Sequence, residues 1–181
     1  MSMDINVYLP TPLDSDHIPL ITRRLAELGL RCEFESDFSF RDTGFVPLKI
    51  SLTIGPNEYR NQPFDTGFEM ELSEFDYAKE LNEVKNPPRQ GWLNKLFVGN
   101  QQEAPRDFIA SKEMDNLLKQ CRQDLSIRYR DDVLTPFAFA AVVAELTNGI
   151  LWEGESGEYQ NAKDALEQIS ELAEDWSPPS L

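Results

Sequence analysis

Alternation with a period of two recurs along this chain, and it leaves little room for anything but a β-sheet with one dry face and one wet face. Met3, Ile5, Val7 and Leu9 alternate with their neighbours. Over residues 32–40, Phe34, Phe38 and Phe40 share one side, and Glu33, Glu35 and Asp37 share the other. Leu48, Ile50, Leu52 and Ile54 repeat the pattern, as do Met70 and Leu72 against Glu69 and Glu71. Successive side chains of a strand point to opposite faces, so each run buries one set and wets the other. The string Asp42-Thr43-Gly44-Phe45 recurs as Asp65-Thr66-Gly67-Phe68. Each copy reads as a turn that launches a strand, with Gly supplying a positive φ. The expected arrangement is an antiparallel meander.

Helical spacing separates these runs. Ile18, Ile21, Leu25 and Leu28 recur at three and four, and Gly29 fits the stop. Ser111 can cap a helix carrying Met114, Leu117, Leu118, Cys121 and Leu125 on one stripe. After Thr135-Pro136, the stretch Phe137–Leu146 is apolar all round except for Glu145, which marks a helix buried on most sides. Ile150, Leu151 and Trp152 read as a short strand, Glu153–Gly157 as a turn, and 161–176 as a final helix. A helix followed by Gly and a strand thus occurs twice, at 26–34 and 144–152. The fold class expected is α+β: an antiparallel sheet of about five to six strands with helices packed mainly on one face. Residues 1–181 form a single domain, interrupted at about 86–106 by a loop rich in Pro, Gly, Asn and Gln. Trp92, Leu93, Leu96 and Phe97 would make one helical turn inside that loop.

Charge narrows the function. The formal net charge is −15 over 181 residues, with a hydrophobic fraction of 40% that belongs to a folded globule. Such a charge repels phosphate backbones and anionic lipid heads, so neither nucleic acid nor membrane is an expected partner. The N-terminus has no basic region followed by an apolar one, and no stretch is apolar enough to span a bilayer. A cytoplasmic protein is expected. Cys32 and Cys121 lack metal or redox spacing and read as buried thiols. Asp14, Asp16 and His17 lie at a helix start, where acids suit the positive dipole end. Asp131 and Asp132 read as solvated. No metal-site, nucleotide-loop or nucleophile signature is present. The expectation is no catalytic residue, no metal, no cofactor and no enzyme.

What remains is acidity itself. Residues i and i+2 of a strand stand roughly 7 Å apart, so Glu33, Glu35 and Asp37 form one row and Glu69 and Glu71 another. Each neighbouring pair repels by only about 0.6 kcal/mol in water, which Lys49 or Arg31 on an adjacent strand can offset. From Leu151 to Leu181, eight acids against the single base Lys163 leave a net of −7. Among them Glu153, Glu155 and Glu158 flank Trp152 and Tyr159, and aromatics beside acids suit an interface. Glu33, Glu35, Asp37, Glu69, Glu71, Trp92, Trp152, Glu153, Glu155 and Glu158 are therefore the candidate partner-binding residues.

The acidic strands Glu33–Asp37 and Glu69–Glu71, with the string Ala144-Glu145-Leu146-Thr147-Asn148-Gly149-Ile150-Leu151-Trp152, make the chain similar to the small acidic immunity proteins of bacterial toxin systems. The resemblance implies a stoichiometric inhibitor without turnover, whose carboxylates occupy the basic cleft of a cognate toxin. Two alternatives stand beside it. A structural or regulatory adaptor would self-associate, as a homodimer, through the Trp92 loop. A small hydrolase would use a carboxylate pair, one with a raised pKa.

Overall fold

The computed structural model describes residues 3–41, 43–86 and 107–178. Its strands are β1 (Met3–Leu9), β2 (Leu30–Phe34), β3 (Gly44–Leu52), β4 (Pro63–Glu74), β5 (Gln123–Tyr129), β6 (Ile150–Glu153) and β7 (Glu158–Asn161). Its helices are α1 (His17–Glu27), α2 (Tyr77–Lys85), α3 (Lys112–Leu118), α4 (Leu134–Thr147) and α5 (Ala162–Glu174). The strands form one open antiparallel sheet in the order β2-β3-β4-β5-β1-β6-β7. This is an α+β fold, with seven strands rather than five or six.

The alternation does what its period demands. Ile5, Val7 and Leu9 of β1, Val46, Leu48, Ile50 and Leu52 of β3, and Leu125 and Ile127 of β5 all turn to one face and are buried there. Helix α4 lies across that face, touching β1, β4, β5 and β6, with α1 and α5 beside it. Twelve of its 14 residues are buried, which is why no polar stripe is visible in its sequence. Its end is fixed by Asn148, left-handed at φ 55, and by the Gly149 N–H donating to the Ala144 carbonyl at 2.8 Å. Helix α5 begins where the Asn161 side chain accepts the Asp164 N–H at 3.0 Å.

Several expectations change. The second strand ends at Phe34, not Phe40, and Glu35 and Asp37 lie in the turn beyond it. Phe38 and Phe40 still serve the core: they stack between Phe34 and Phe139 rather than on a pleat. The 111–125 helix stops at Leu118, and Leu125 belongs to β5. The helical spacing from Cys121 to Leu125 is coincidental, since Leu125, Ile127 and Tyr129 alternate as a strand. Tyr77–Lys85 is helical, and Glu158–Asn161 is a strand; neither was expected.

The second Asp-Thr-Gly-Phe string is no turn. It lies inside β4, where Thr66, Gly67 and Phe68 pair with Leu48, Pro47 and Val46. Gly67 is needed there for space, because a Cβ built on it would strike the Phe45 ring and the Val46 carbonyl oxygen. In the first string Gly44 does take a positive φ of 132 as β3 begins.

The second face of the sheet is covered only in part. Phe75, Leu118, Cys121 and Ile150 form a smaller cluster there with Tyr8, Tyr77, Met114 and Tyr159 around them. Both cysteines are buried and free, and burial holds the Cys32 thiol up at about 12 and the Cys121 thiol at about 11. Asp132 is not solvated. It is buried and accepts from Thr66 Oγ1 at 2.9 Å, the Thr135 N–H at 3.2 Å and Trp176 Nε1 at 3.1 Å. It thereby joins β4, the start of α4 and the segment after α5. Among the described residues, no helix is long and apolar enough to cross a membrane.

Candidate functional site

Register settles the fate of the acids on the second face. Glu33 stands opposite Lys49, and Lys49 stands opposite Asp65, so charge alternates across three strands. Glu69 stands opposite Arg128, which stands opposite Asp4. Arg128 reaches both, with Nε 3.0 Å from Asp4 Oδ1 and Nη1 3.5 Å from Glu69 Oε2. Glu71 stands opposite Ser126. Each of these two bases offsets part of the charge of the two acids beside it, so the centre of this face stays negative but is interrupted by cations. Glu33 and Glu69 do not form the rows of free carboxylates expected of them, because every second strand supplies a base.

Glu71 joins no ion pair among the described residues, and further unpaired acids gather at two corners. Glu35 and Asp37 lie beyond the end of β2. Glu153, Glu155 and Glu158 lie on the β6–β7 hairpin, where Glu153 stands directly opposite Glu158. Among the described residues neither Glu35, Asp37, Glu155 nor Glu158 joins an ion pair. Four strand spacings separate β3 from β6, about 19 Å at 4.8 Å each. That exceeds two Debye lengths at physiological ionic strength, roughly 8 Å each, so the corners act as separate patches.

The two corners differ in their aromatic residues. At the hairpin Trp152 and Tyr159 are half-buried with ring centroids 6.4 Å apart, and Tyr159 stacks on Tyr8 at 6.1 Å. Those rings are largely spent inside the molecule. At the β2–β3 corner, Phe45 is 65% exposed, the most exposed of the large apolar side chains described. Leaving a Phe so exposed forgoes about 1–2 kcal/mol of burial. Phe45 helps line a depression of about 180 Å³ together with Glu35, Asp37, Phe38, Thr43 and Pro47. No sequence signal marks Phe45 as a surface residue, since a Phe at a strand start reads as core.

A third acidic group lies under the helices of the second face. Asp115 is buried and fully engaged: the Tyr77 hydroxyl donates to it at 2.6 Å, and the Ile109 and Ala110 N–H groups at 2.9 and 3.0 Å. Burial, together with that carboxylate, pushes the Tyr77 hydroxyl up to about 12. Among the described residues the Asp124 side chain accepts only from Asn6, whose Nδ2 lies 2.9 Å from both carboxylate oxygens. Burial drives the Asp124 carboxyl up to about 6, and the neighbouring Glu80 and Glu71 add to the shift. Tyr8 and Glu80 are raised as well, each chiefly by burial. Neither Asp115 nor Asp124 stands out in the sequence, because their partners lie on other elements.

A wider groove of about 460 Å³ runs between α1, α4 and α5. Its wall carries the two-pronged pair of Arg24 with Glu145, at 2.7 and 2.9 Å, which closes the charge of that groove on itself. No group of three or more His, Cys, Asp or Glu among the described residues could hold a metal ion. His17 Nδ1 contacts Asp14 Oδ1 at 2.8 Å at the start of α1. Trp92 and most of the loop expected at about 86–106 lie outside the described residues. Comparison with protein-family models, curated proteins and solved structures finds no match.

Proposed function

We propose that this protein is a stoichiometric protein-binding module of the immunity type, which neutralises a basic partner through its acidic corners. The observation that carries the proposal is a contrast between the middle of the sheet and its corners. In the middle Lys49 and Arg128 each stand between two acids, whereas Glu35, Asp37, Glu155 and Glu158 have neither a base opposite nor an ion pair among the described residues, in a chain of net charge −15. Uncompensated carboxylates cost the fold little at the surface, and they raise the association rate and selectivity toward a cationic protein.

The hydrolase alternative is weaker. Asp124 has the raised pKa that such an enzyme would need, but both its oxygens already face the Asn6 amide. Its shift comes first from burial, not from a paired catalytic carboxylate.

The test is capture of partners on the immobilised protein, at near-physiological and at high ionic strength. The expected result is a basic protein retained only at the lower salt, whose own activity is titrated away at equal stoichiometry. Retention that ignores salt, and survives neutralisation of Glu35, Asp37, Glu153, Glu155 and Glu158 together, would overturn the proposal.

A further inference from the structure

We infer that the depression beside Phe45 is the socket for a single lysine or arginine side chain of the basic partner. The inference deepens the reading above and rests on it. Phe45 lies against Gly67, where no side chain intervenes, and leaves most of its ring to solvent. A ring fixed on one side and free on the other offers its face to a cation and to the methylene stem behind that cation. Phe38, itself stacked on Phe34, lines the same depression. Glu35 and Asp37 supply negative charge at the same depression, and among the described residues no base lines it, Arg41 on the same loop included. Its volume, about 180 Å³, is below the usual range of cofactor and metabolite pockets and admits one long side chain.

A backbone mode of docking is disfavoured at this place. β2 pairs with β3 only as far as Phe34 opposite Leu48, so Gly44–Pro47 have no ladder neighbour on that side among the described residues. Yet Pro47 has no N–H to offer an added strand, and proline blunts an open edge in this way. Recognition here therefore runs through side chains: a cation over the Phe45 face, paired with Glu35 or Asp37.

The experiment is an NMR titration of the isotopically labelled full chain with a penta-lysine peptide, with penta-glutamate as the control. Saturable amide shifts are expected over residues 35–39 and 43–47, with none from penta-glutamate. Phe45→Ala, and separately Glu35→Gln with Asp37→Asn, should each weaken the apparent Kd by about fivefold or more. The variants' spectra report whether they remain folded. Shifts confined to the Glu153–Glu158 hairpin would overturn the socket and leave the cation-binding reading standing. Unchanged affinity in both variants would overturn it too, as would the absence of any saturable shift. The capture experiment is decided by salt and by activity titration, so the two ideas can fail separately.

Discussion

The buried flank under α2 and α3 and the open β2–β3 corner use the same residue type for opposite ends. At the flank Asp115 accepts three hydrogen bonds and ties the 107–110 segment and Tyr77 to α3. At the corner Glu35 and Asp37 tie nothing down among the described residues. A carboxylate is costly to bury and becomes structural only when donors converge on it, whereas an exposed one is nearly free to keep. The sheet thus separates acids that hold the fold from acids that the fold does not use. Between the extremes lies Asp124, half-buried and with Asn6 as its one side-chain donor among the described residues.

The sharpest way to break the contrast is to remove an engaged carboxylate. Asp115→Ala should cost about 3 kcal/mol, because it leaves two N–H groups and a tyrosine hydroxyl without their acceptor. Asp115→Asn, which keeps an acceptor oxygen, should cost less. Urea denaturation measures both.

Asp124 supplies the next test. Its folded-state pKa, about 6, lies above that of an ordinary carboxylate. Protonation therefore favours the fold, and the contribution is full below about pH 4 and lost as pH rises through about 6. Relative to wild type, Asp124→Asn should gain about 2 kcal/mol at neutral pH and nothing near pH 4. The same difference at both pH values would place the acid in water and erase its intermediate position.

Gly67 tests the corner's architecture. Gly67→Ala should cost about 1–2 kcal/mol by pressing the Phe45 ring and the Val46 carbonyl oxygen. Part of that cost should vanish in a Phe45→Ala background, and a double-mutant cycle reads the difference. The smallest stability effect belongs to Glu35→Gln with Asp37→Asn, within about 0.5 kcal/mol of wild type. Thermal unfolding checks this, and a large loss would mean that the corner acids are structural after all.

The dry side of the molecule was legible in the sequence because periodicity is a local property. Ile5, Val7, Leu9 and the all-round apolar run at 137–146 announce themselves without knowledge of their neighbours. The second face was not legible, because its character depends on register. Lys49 is visible in the sequence as a base that could offset the acids, but not its place between Glu33 and Asp65, nor that of Arg128 between Glu69 and Asp4. Strand β5 was hidden for a different reason: Cys121 and Leu125 satisfy a helical spacing, and the alternation from Leu125 to Tyr129 begins within it. Asp132 read as solvated because two adjacent aspartates usually are, while its donors come from residues 66 and 176. Phe45 escaped notice because the depression beside it forms only where β2 ends short of β3's beginning.

Strand β1 lies between β5 and β6, and its Asn6 meets Asp124 across 118 positions of chain. While the protein is being synthesised, that strand emerges with Ile5, Val7 and Leu9 bare and with neither flank occupied. At ordinary translation rates the wait for its first neighbour lasts roughly ten seconds. Such distant pairing also slows refolding in the test tube. Of the strands described, β1 waits longest for its first neighbour, and until then its apolar residues are open to contact with other chains.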